Sequence, residues 1–227
     1  MTERADPRGL VSTLLDHTAP ASSRDEAAAA LSMHDVPEVL ESLVSVASDF
    51  SEPEALLDRC GASIAAIWSR TAAPDAGTLE RLTERARSTL LRTLDALQSQ
   101  SIEDETRARD AFQIGSALLE SGDHAGAVEA LQASAALEPR AKTLELLGEA
   151  FLLRGEPRRA VVPLAAATTL GAHARSAELL AEALHVLGED VRAHEMARLA
   201  LGRDARNRKA RVVLEATKAA YDAWSAL

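Results

Sequence analysis

The chain has 227 residues, 47% of them apolar but only 3% aromatic, and a formal charge of −10. That length supports one elongated domain or two small ones. The single cysteine, Cys60, excludes an internal disulfide. No apolar run approaches the roughly 18 residues that a membrane span needs. The charge is uneven. Residues 1–105 hold 9 Arg and no Lys against 19 Asp and Glu, whereas residues 106–227 hold 16 cations against 16 anions. An acidic first half repels nucleic acid and anionic membranes, which disfavours both as ligands. The opening MTERADPRGL is charged and has no apolar signal core, so a cytoplasmic protein is expected. Three lysines among many arginines, with abundant alanine, point to a bacterial source.

Alanine and leucine dominate, and alternating β-branched stretches are missing, so every element is predicted helical. The first helix is expected near 7–17, with Asp6 as its cap and Pro7 at its start. Three capping boxes follow: Ser23 with Glu26, Asp35 with Glu38 and Ser51 with Glu54. They predict helices near 24–33, 36–48 and 52–71. The stripe Leu40, Leu43, Val44 and Ala47 then faces Leu56, Leu57, Cys60, Ile64, Ile67 and Trp68. Cys60 among these reads as a buried structural thiol. A longer helix near 77–98 turns Leu82, Leu90, Leu94 and Leu97 inward. Residues 36–68, with Asp49 in the turn and Arg59 early in the second helix, resemble a HEAT repeat. Residues 99–110, SQSIEDETRARD, are either a joint or the exposed start of the next helix.

From here the sequence repeats. Gly122 recurs as Gly155 and Gly188, and Ala127 as Ala160 and Ala193. Gly115 recurs as Gly148 and Ala181, and Ser134 as Ala167 and Ala200, always at a spacing of 33. Each copy reads as two helices with a glycine C-cap between them. Their inner faces carry Ala111, Ile114, Gly115 and Leu118 with Ala127, Leu131 and Ser134 in the first copy. The second has Leu144, Leu147, Gly148 and Phe151 with Ala160, Leu164 and Ala167, and the third Ala177, Leu180, Ala181 and Leu184 with Ala193, Ala197 and Ala200. Small residues let two helix backbones approach closely. The Ser134 hydroxyl is expected to bond a carbonyl one turn earlier in its own helix. Residues 207–227 supply a capping helix with the stripe Val213, Ala216, Ala220, Trp224 and Leu227. Tyr221 and Trp224 serve there as packing residues or as a docking anchor.

Gly115, Gly122, Ala127, Ser134 and Pro139 fall in the order of the tetratricopeptide (TPR) signature, and residues 108–206 resemble three such repeats: 108–140, 141–173 and 174–206. The period of 33 is one short of the family's usual length, and the family's early tryptophan is replaced by Ala111, Leu144 and Ala177. The expected fold is therefore all-α: HEAT-like hairpins over 23–100, after an N-terminal segment 1–22, then a right-handed TPR-like solenoid with its cap over 101–227.

The resemblance implies a peptide-binding groove lined by the first helix of each pair. Its expected residues are Arg109, Phe112, Ser116 and Leu119, with Glu120 beside them, then Lys142, Glu145, Glu149 and Leu152, with Leu153 beside them. The third pair gives Arg175, Glu178, Glu182 and His185, with Val186 beside them. The family's grip on a terminal carboxylate is not expected. Of Phe112, Ser116, Leu146, Arg175 and Leu179, which hold those positions here, only Arg175 fits. Glu145, Glu149, Glu178 and Glu182 instead suggest an acidic patch, flanked by apolar Phe112, Leu119 and Leu152, for a basic, partly apolar segment. The cluster Arg203, Arg206, Arg208, Lys209 and Arg211 reads as a solvated helix end or as a contact for an acidic partner, including the first half of a second copy, or for nucleic acid, which no interleaved aromatics support.

No catalytic, cofactor or metal residues are identified. Six scattered histidines (His17, His34, His124, His173, His185 and His194) form no i, i+4 ligand pair, and no phosphate-binding loop occurs. The expected function is a non-catalytic scaffold or adaptor binding a protein or peptide. The alternatives are a toxin-neutralising or defence-associated binding protein and, last, a HEAT-like enzyme acting on nucleic acid.

Overall fold

The computed structural model describes residues 6–71 and 75–226, and the chain divides into two units, 1–102 and 103–227. All regular structure among the described residues is helical: α1 Pro7–Leu15, α2 Ala21–Leu31, α3 Pro37–Ala47, α4 Glu54–Thr71, α5 Ala76–Arg81 and α6 Glu84–Ser121, then α7 His124–Leu137, α8 Ala141–Leu153, α9 Pro157–Leu170, α10 Ala174–Val186, α11 Asp190–Arg203 and α12 Arg208–Ser225.

In the first unit the predicted stripes meet. Leu43, Val44 and Ala47 share one core with Leu56, Leu57, Ile64, Ile67 and Trp68, and Leu14 and Leu31 close it from α1 and α2. Cys60 is fully buried, and loss of solvation, reinforced by the nearby Glu52 charge, pushes its thiol up to about 12. Asp6 caps α1 as expected, accepting from the Arg8 N–H at 3.2 Å. The three capping boxes do not form. Pro20 precedes α2, so Ser23 lies inside the first turn. Asp35 accepts from Arg70 at 2.6 Å, and the Ser51 hydroxyl donates to Asp49 at 2.7 Å. Asp35 and Ser51 thus have partners other than the helix end.

The helix expected near 77–98 is broken. α5 ends at Arg81, and the Thr83 N–H and hydroxyl both donate to the Ala47 carbonyl at 3.0 Å, pinning the chain to the end of α3. Leu82, Leu90 and Leu94 are buried as predicted, but Leu97 is exposed. Residues 99–110 are helical throughout, within α6. A further link was invisible in the pattern: Arg24 of α2 grips Glu52 through both guanidinium arms, at 2.7 and 2.6 Å, and donates its Nε to the Leu14 carbonyl at 2.8 Å. Both side chains are buried.

The second unit is a TPR-like stack of helix pairs. Gly122, Gly155 and Gly188 have φ of +87°, +72° and +76°, the left-handed turn only glycine adopts with little strain. Each turn repeats the same hydrogen bonds. Asp123, Glu156 and Glu189 donate their N–H to the Leu118, Phe151 and Leu184 carbonyls, all at 2.9 Å. The second helices bury Ala127, Leu131 and Ser134, then Ala160, Leu164 and Ala167, then Ala193, Ala197 and Ala200. Ser134 does not bond within its own helix: its hydroxyl reaches across to the Ala108 carbonyl at 2.8 Å. Ile114 is 56% exposed, whereas its equivalents Leu147 and Leu180 are buried.

The cap α12 sits one step round from its predicted register. Ala210, Val213 and Thr217 are its buried residues, while Ala216 and Trp224 are exposed, and Leu227 lies outside the described residues. Thr217 sets this register. Its hydroxyl donates to the Val213 carbonyl at 2.8 Å and sits 3.1 Å from the buried His194 Nδ1. Tyr221 stacks on His194 at 4.3 Å, and this pair does the packing that Trp224 was expected to share.

Two outcomes follow. A Cβ on Gly148 would lie 2.3 Å from Leu164 Cγ, whereas the third pair carries Ala181 opposite Ala197, both fully buried. Gly148→Ala is expected to cost about 1–3 kcal/mol in urea unfolding, and adding Leu164→Ala, which rebuilds the third pair's combination, to recover part of the loss. Strict additivity would show that the two positions do not share one space. Cys60 is expected to stay unreactive toward a thiol-specific disulfide reagent in the native protein and to titrate fully once unfolded.

Candidate functional site

The twelve candidate residues fall into four columns, one residue per helix pair, on α6, α8 and α10. The spacing of 33 puts them at equivalent places on equivalent helices. The first column, Arg109, Lys142 and Arg175, is exposed. The second, Phe112, Glu145 and Glu178, points between neighbouring pairs: Phe112 is partly buried and both glutamates are buried. The third runs Ser116, Glu149 and Glu182, with only Glu182 exposed. The fourth, Leu119, Leu152 and His185, is partly buried, and its two leucines pack on the core.

The acidic patch read from the sequence is not an open acidic surface. Lys142 Nζ donates to Glu145 Oε1 at 2.7 Å, and the Ser176 hydroxyl donates to Glu145 Oε2, also at 2.7 Å. Arg175 donates to Glu149 Oε1 at 2.5 Å. Asn207 Nδ2 donates to Glu178 Oε2 at 2.7 Å, while Arg175 and Lys209 approach Glu178 Oε1 at 3.8 Å. The side chains of Glu145 and Glu178 retain only 4% and 9% of their exposure. Glu145 and Glu149 are thus matched by the chain itself, Glu178 is hydrogen-bonded through Oε2 alone, its buried Oε1 receiving no hydrogen bond, and Glu182 stays exposed. The physical reason is burial: a carboxylate at a joint between helix pairs needs a cation or donor from the next pair.

Glu145 shows the balance. Burial acts most strongly and opposes its ionisation. The hydrogen bonds from Lys142 and Ser176, with the charges of Lys142 and Arg175, together outweigh it and hold the carboxyl below its ordinary value.

These contacts form a periodic clasp. The second-column residue of one pair reaches the residue two places into the next pair: Glu145 to Ser176, and Glu178 toward Lys209. At the first joint the same two places hold Phe112 and Thr143. No carboxylate stands in that column, but a cavity of about 290 Å³ opens there whose lining carries both signs of charge, Arg109, Arg140 and Lys142 beside Glu138, with Ala108, Phe112, Ser134 and Thr143.

The basic cluster is partly spent on structure. Arg203 donates to the His173 and Thr168 carbonyls at 3.1 and 3.2 Å, and Arg211 to the Ala205 carbonyl at 2.9 Å. Arg206 and Arg208 remain exposed. His185 Nδ1 lies 2.7 Å from Asp190. Among the described residues, no group of three or more His, Cys, Asp or Glu side chains is placed to hold a metal ion, and no helix is long and apolar enough to cross a membrane. The clasp partners Ser176 and Asn207 were not singled out in the sequence. Their signal was faint: a polar residue in the first turn of α10 and another at the cap of α12.

No protein-family model and no curated protein sequence matches the chain. Solved structures similar to it are TPR proteins. The TPR domain of P58(IPK) is 17% identical with a TM-score of 0.42, over 87% of this chain and 47% of that one, so this chain spans about half its length. TTC0263, a thermophilic TPR protein in Thermus thermophilus, is 18% identical with a TM-score of 0.37, over 93% and 98%. The TPR2AB domain of yeast Sti1, in a pHSP90 complex, is 15% identical with a TM-score of 0.44, over 96% and 84%. The repeat fold rests on the three glycine turns and their shared hydrogen bonds in this chain.

Because its folded-state pKa is lowered, Glu145 stabilises the fold above the usual glutamate value near 4.5. That contribution is lost as pH falls through the lowered folded value. In acid unfolding curves Glu145→Gln is expected to lie below the parent near neutral pH and to flatten the acid limb. An unchanged acid limb would show that Glu145 is not held by the clasp.

Proposed function

We propose that the second unit is a non-catalytic protein-interaction module that takes a segment of a partner protein along the first helices of its pairs. The observation that carries this is the apolar strip left once the glutamates are matched internally. Phe112, Leu119 and Leu152 are partly buried there, and Leu153 and Val186, equivalent residues on α8 and α10, remain 53% and 66% exposed. Exposed aliphatic side chains at equivalent places on neighbouring helices suit the apolar side of a docked helix or extended segment. The internal pairing of Glu145, Glu149 and Glu178 changes the expected partner. A strongly basic segment has only Glu120 and Glu182 exposed among these groove positions to meet, so apolar complementarity leads and charge is secondary. An adaptor built this way needs no cofactor.

The test uses the protein as bait in lysate of its native host, with capture scored against variants. Leu153→Asp combined with Val186→Asp is expected to reduce capture of the specific partner by about tenfold, which corresponds to roughly 1.4 kcal/mol. Val162→Asp, at a side chain 75% exposed on α9, is expected to leave capture unchanged. Equal capture by the double variant, with its unfolding midpoint intact, would remove this face from the function.

A further inference from the structure

We propose that the groove between α9 and α11 receives a second copy of this chain, which inserts Phe50 and the acidic turn that carries it. The groove is a cavity of about 390 Å³. Met196 and Leu199 of α11 form an apolar wall, and the buried Leu180 and Leu184 of α10 form the floor. It continues along α11 past Arg198 and Gly202. Arg192, Arg198 and Arg203 line it against one carboxylate, Glu195. Arg192 is paired with Glu189. The other two arginines have neutral partners. Arg203 donates to the His173 and Thr168 carbonyls at 3.1 and 3.2 Å, and Arg198 to the Tyr221 hydroxyl at 3.4 Å. Such partners satisfy hydrogen bonds without cancelling charge. The groove is thus apolar inside and carries an excess of positive charge.

The first unit presents the complementary surface. Phe50, in the turn between α3 and α4, is 82% exposed, the most of any large apolar side chain among the described residues. The turn is tied down on both sides of it. Asp49 accepts from the Ser51 N–H and hydroxyl at 2.8 and 2.7 Å, and Glu52 is held by both arms of Arg24. A side chain presented on an ordered turn loses little freedom on docking. His17 lies 3.3 Å from Glu52 and brings the turn between α1 and α2 to the same end of the unit. There Asp16 accepts from the Thr18 N–H and hydroxyl at 2.8 and 2.6 Å. Asp16 and Asp49 therefore have neutral donors, while the nearby Arg24 is spent on Glu52.

The two surfaces match in both respects. The aromatic ring supplies a large apolar area for the wall of Met196 and Leu199. The carboxylates of Asp16 and Asp49 and the guanidiniums of Arg198 and Arg203 are unanswered charges of opposite sign. The whole chain favours the same approach: residues 1–105 hold 9 cations against 19 anions, whereas residues 106–227 are balanced. Because the two surfaces differ, the contact is head-to-tail and passes from copy to copy. It is separate from the strip on the first helices and does not depend on the partner reading given to that strip.

Sedimentation equilibrium of the full chain tests this. Its average mass is expected to rise with concentration, and to rise less in high salt. Two variants separate the surfaces: Phe50→Asp at the exposed ring, and Gly202→Glu, where an added Cβ meets nothing within 4 Å. Both are expected to keep the parent's unfolding midpoint and, alone, to weaken association about tenfold. Phe50→Asp copies keep an intact groove, and Gly202→Glu copies keep an intact Phe50. Their equimolar mixture is therefore expected to recover association and to stop at a dimer. A parent chain monomeric at every concentration would overturn the proposal and leave the groove to an acidic segment of another protein. Association that high salt or either substitution leaves unchanged would overturn it too, as would a mixture no more associated than its separate components.

Discussion

The stack depends on how closely two helix backbones can approach inside each pair. Gly115 and Gly148 give up their side chains entirely, and Leu131 and Leu164 fill the space so released. The third pair solves the same volume differently, with Ala181 and Ala197, both fully buried. Protein interiors tolerate redistribution of volume far better than a change in its total. That is why the column can drift from glycine to alanine without breaking the period, provided the opposite column drifts with it. Once the distance within a pair is fixed, the glycine turns are fixed too, because the chain must reverse within two residues. The three turns therefore share one hydrogen-bond pattern, with the bond that follows each glycine 2.9 Å long in all three.

Features set by the backbone were legible in the sequence, and features set by polar side chains were not. The turns at Gly122, Gly155 and Gly188 were readable because few residues tolerate that backbone. The second-helix stripes were readable because they repeat three times. Capping was misread because Asp35 and Ser51 had other partners available, and a pattern of residue types does not rank partners. Thr217 was overlooked as a packing residue because it counts as polar, although its hydroxyl is satisfied by Val213 and His194 and its methyl group can pack. The Arg24 and Glu52 pair, separated by 28 residues, leaves no local signature.

The candidate site shows the same divide more sharply. The four columns were found by counting from the glycines, and the residues they name do stand at equivalent places. Their chemistry was inverted. Two pairs of glutamates repeated at a spacing of 33 look like a surface for a cation, yet a residue placed to face the next repeat is a joint residue, and a charge at a joint must be answered from within. Ser176, Asn207 and Lys209 give that answer, each from the pair or cap that follows. Sequence shows which residues recur. It does not show whether a recurring charge faces solvent or a neighbour.

The same principle explains why the internal clasps bear on binding. A periodic array offers its own control: every joint is a near copy of the next, so a departure at one joint is measured against the others. Burying Glu145 and Glu178 costs solvation that only well-placed donors offset. At the first joint the cations are answered differently, Arg109 by Glu105 and Arg140 by Glu138, while Phe112 stands in the column that holds Glu145 one joint later. Phe112 packs partly on the core and offers an aromatic wall in place of an acceptor. A joint that carries an aromatic side chain in place of the carboxylate gives up the hydrogen bond that ties Glu145 to Ser176 one joint later.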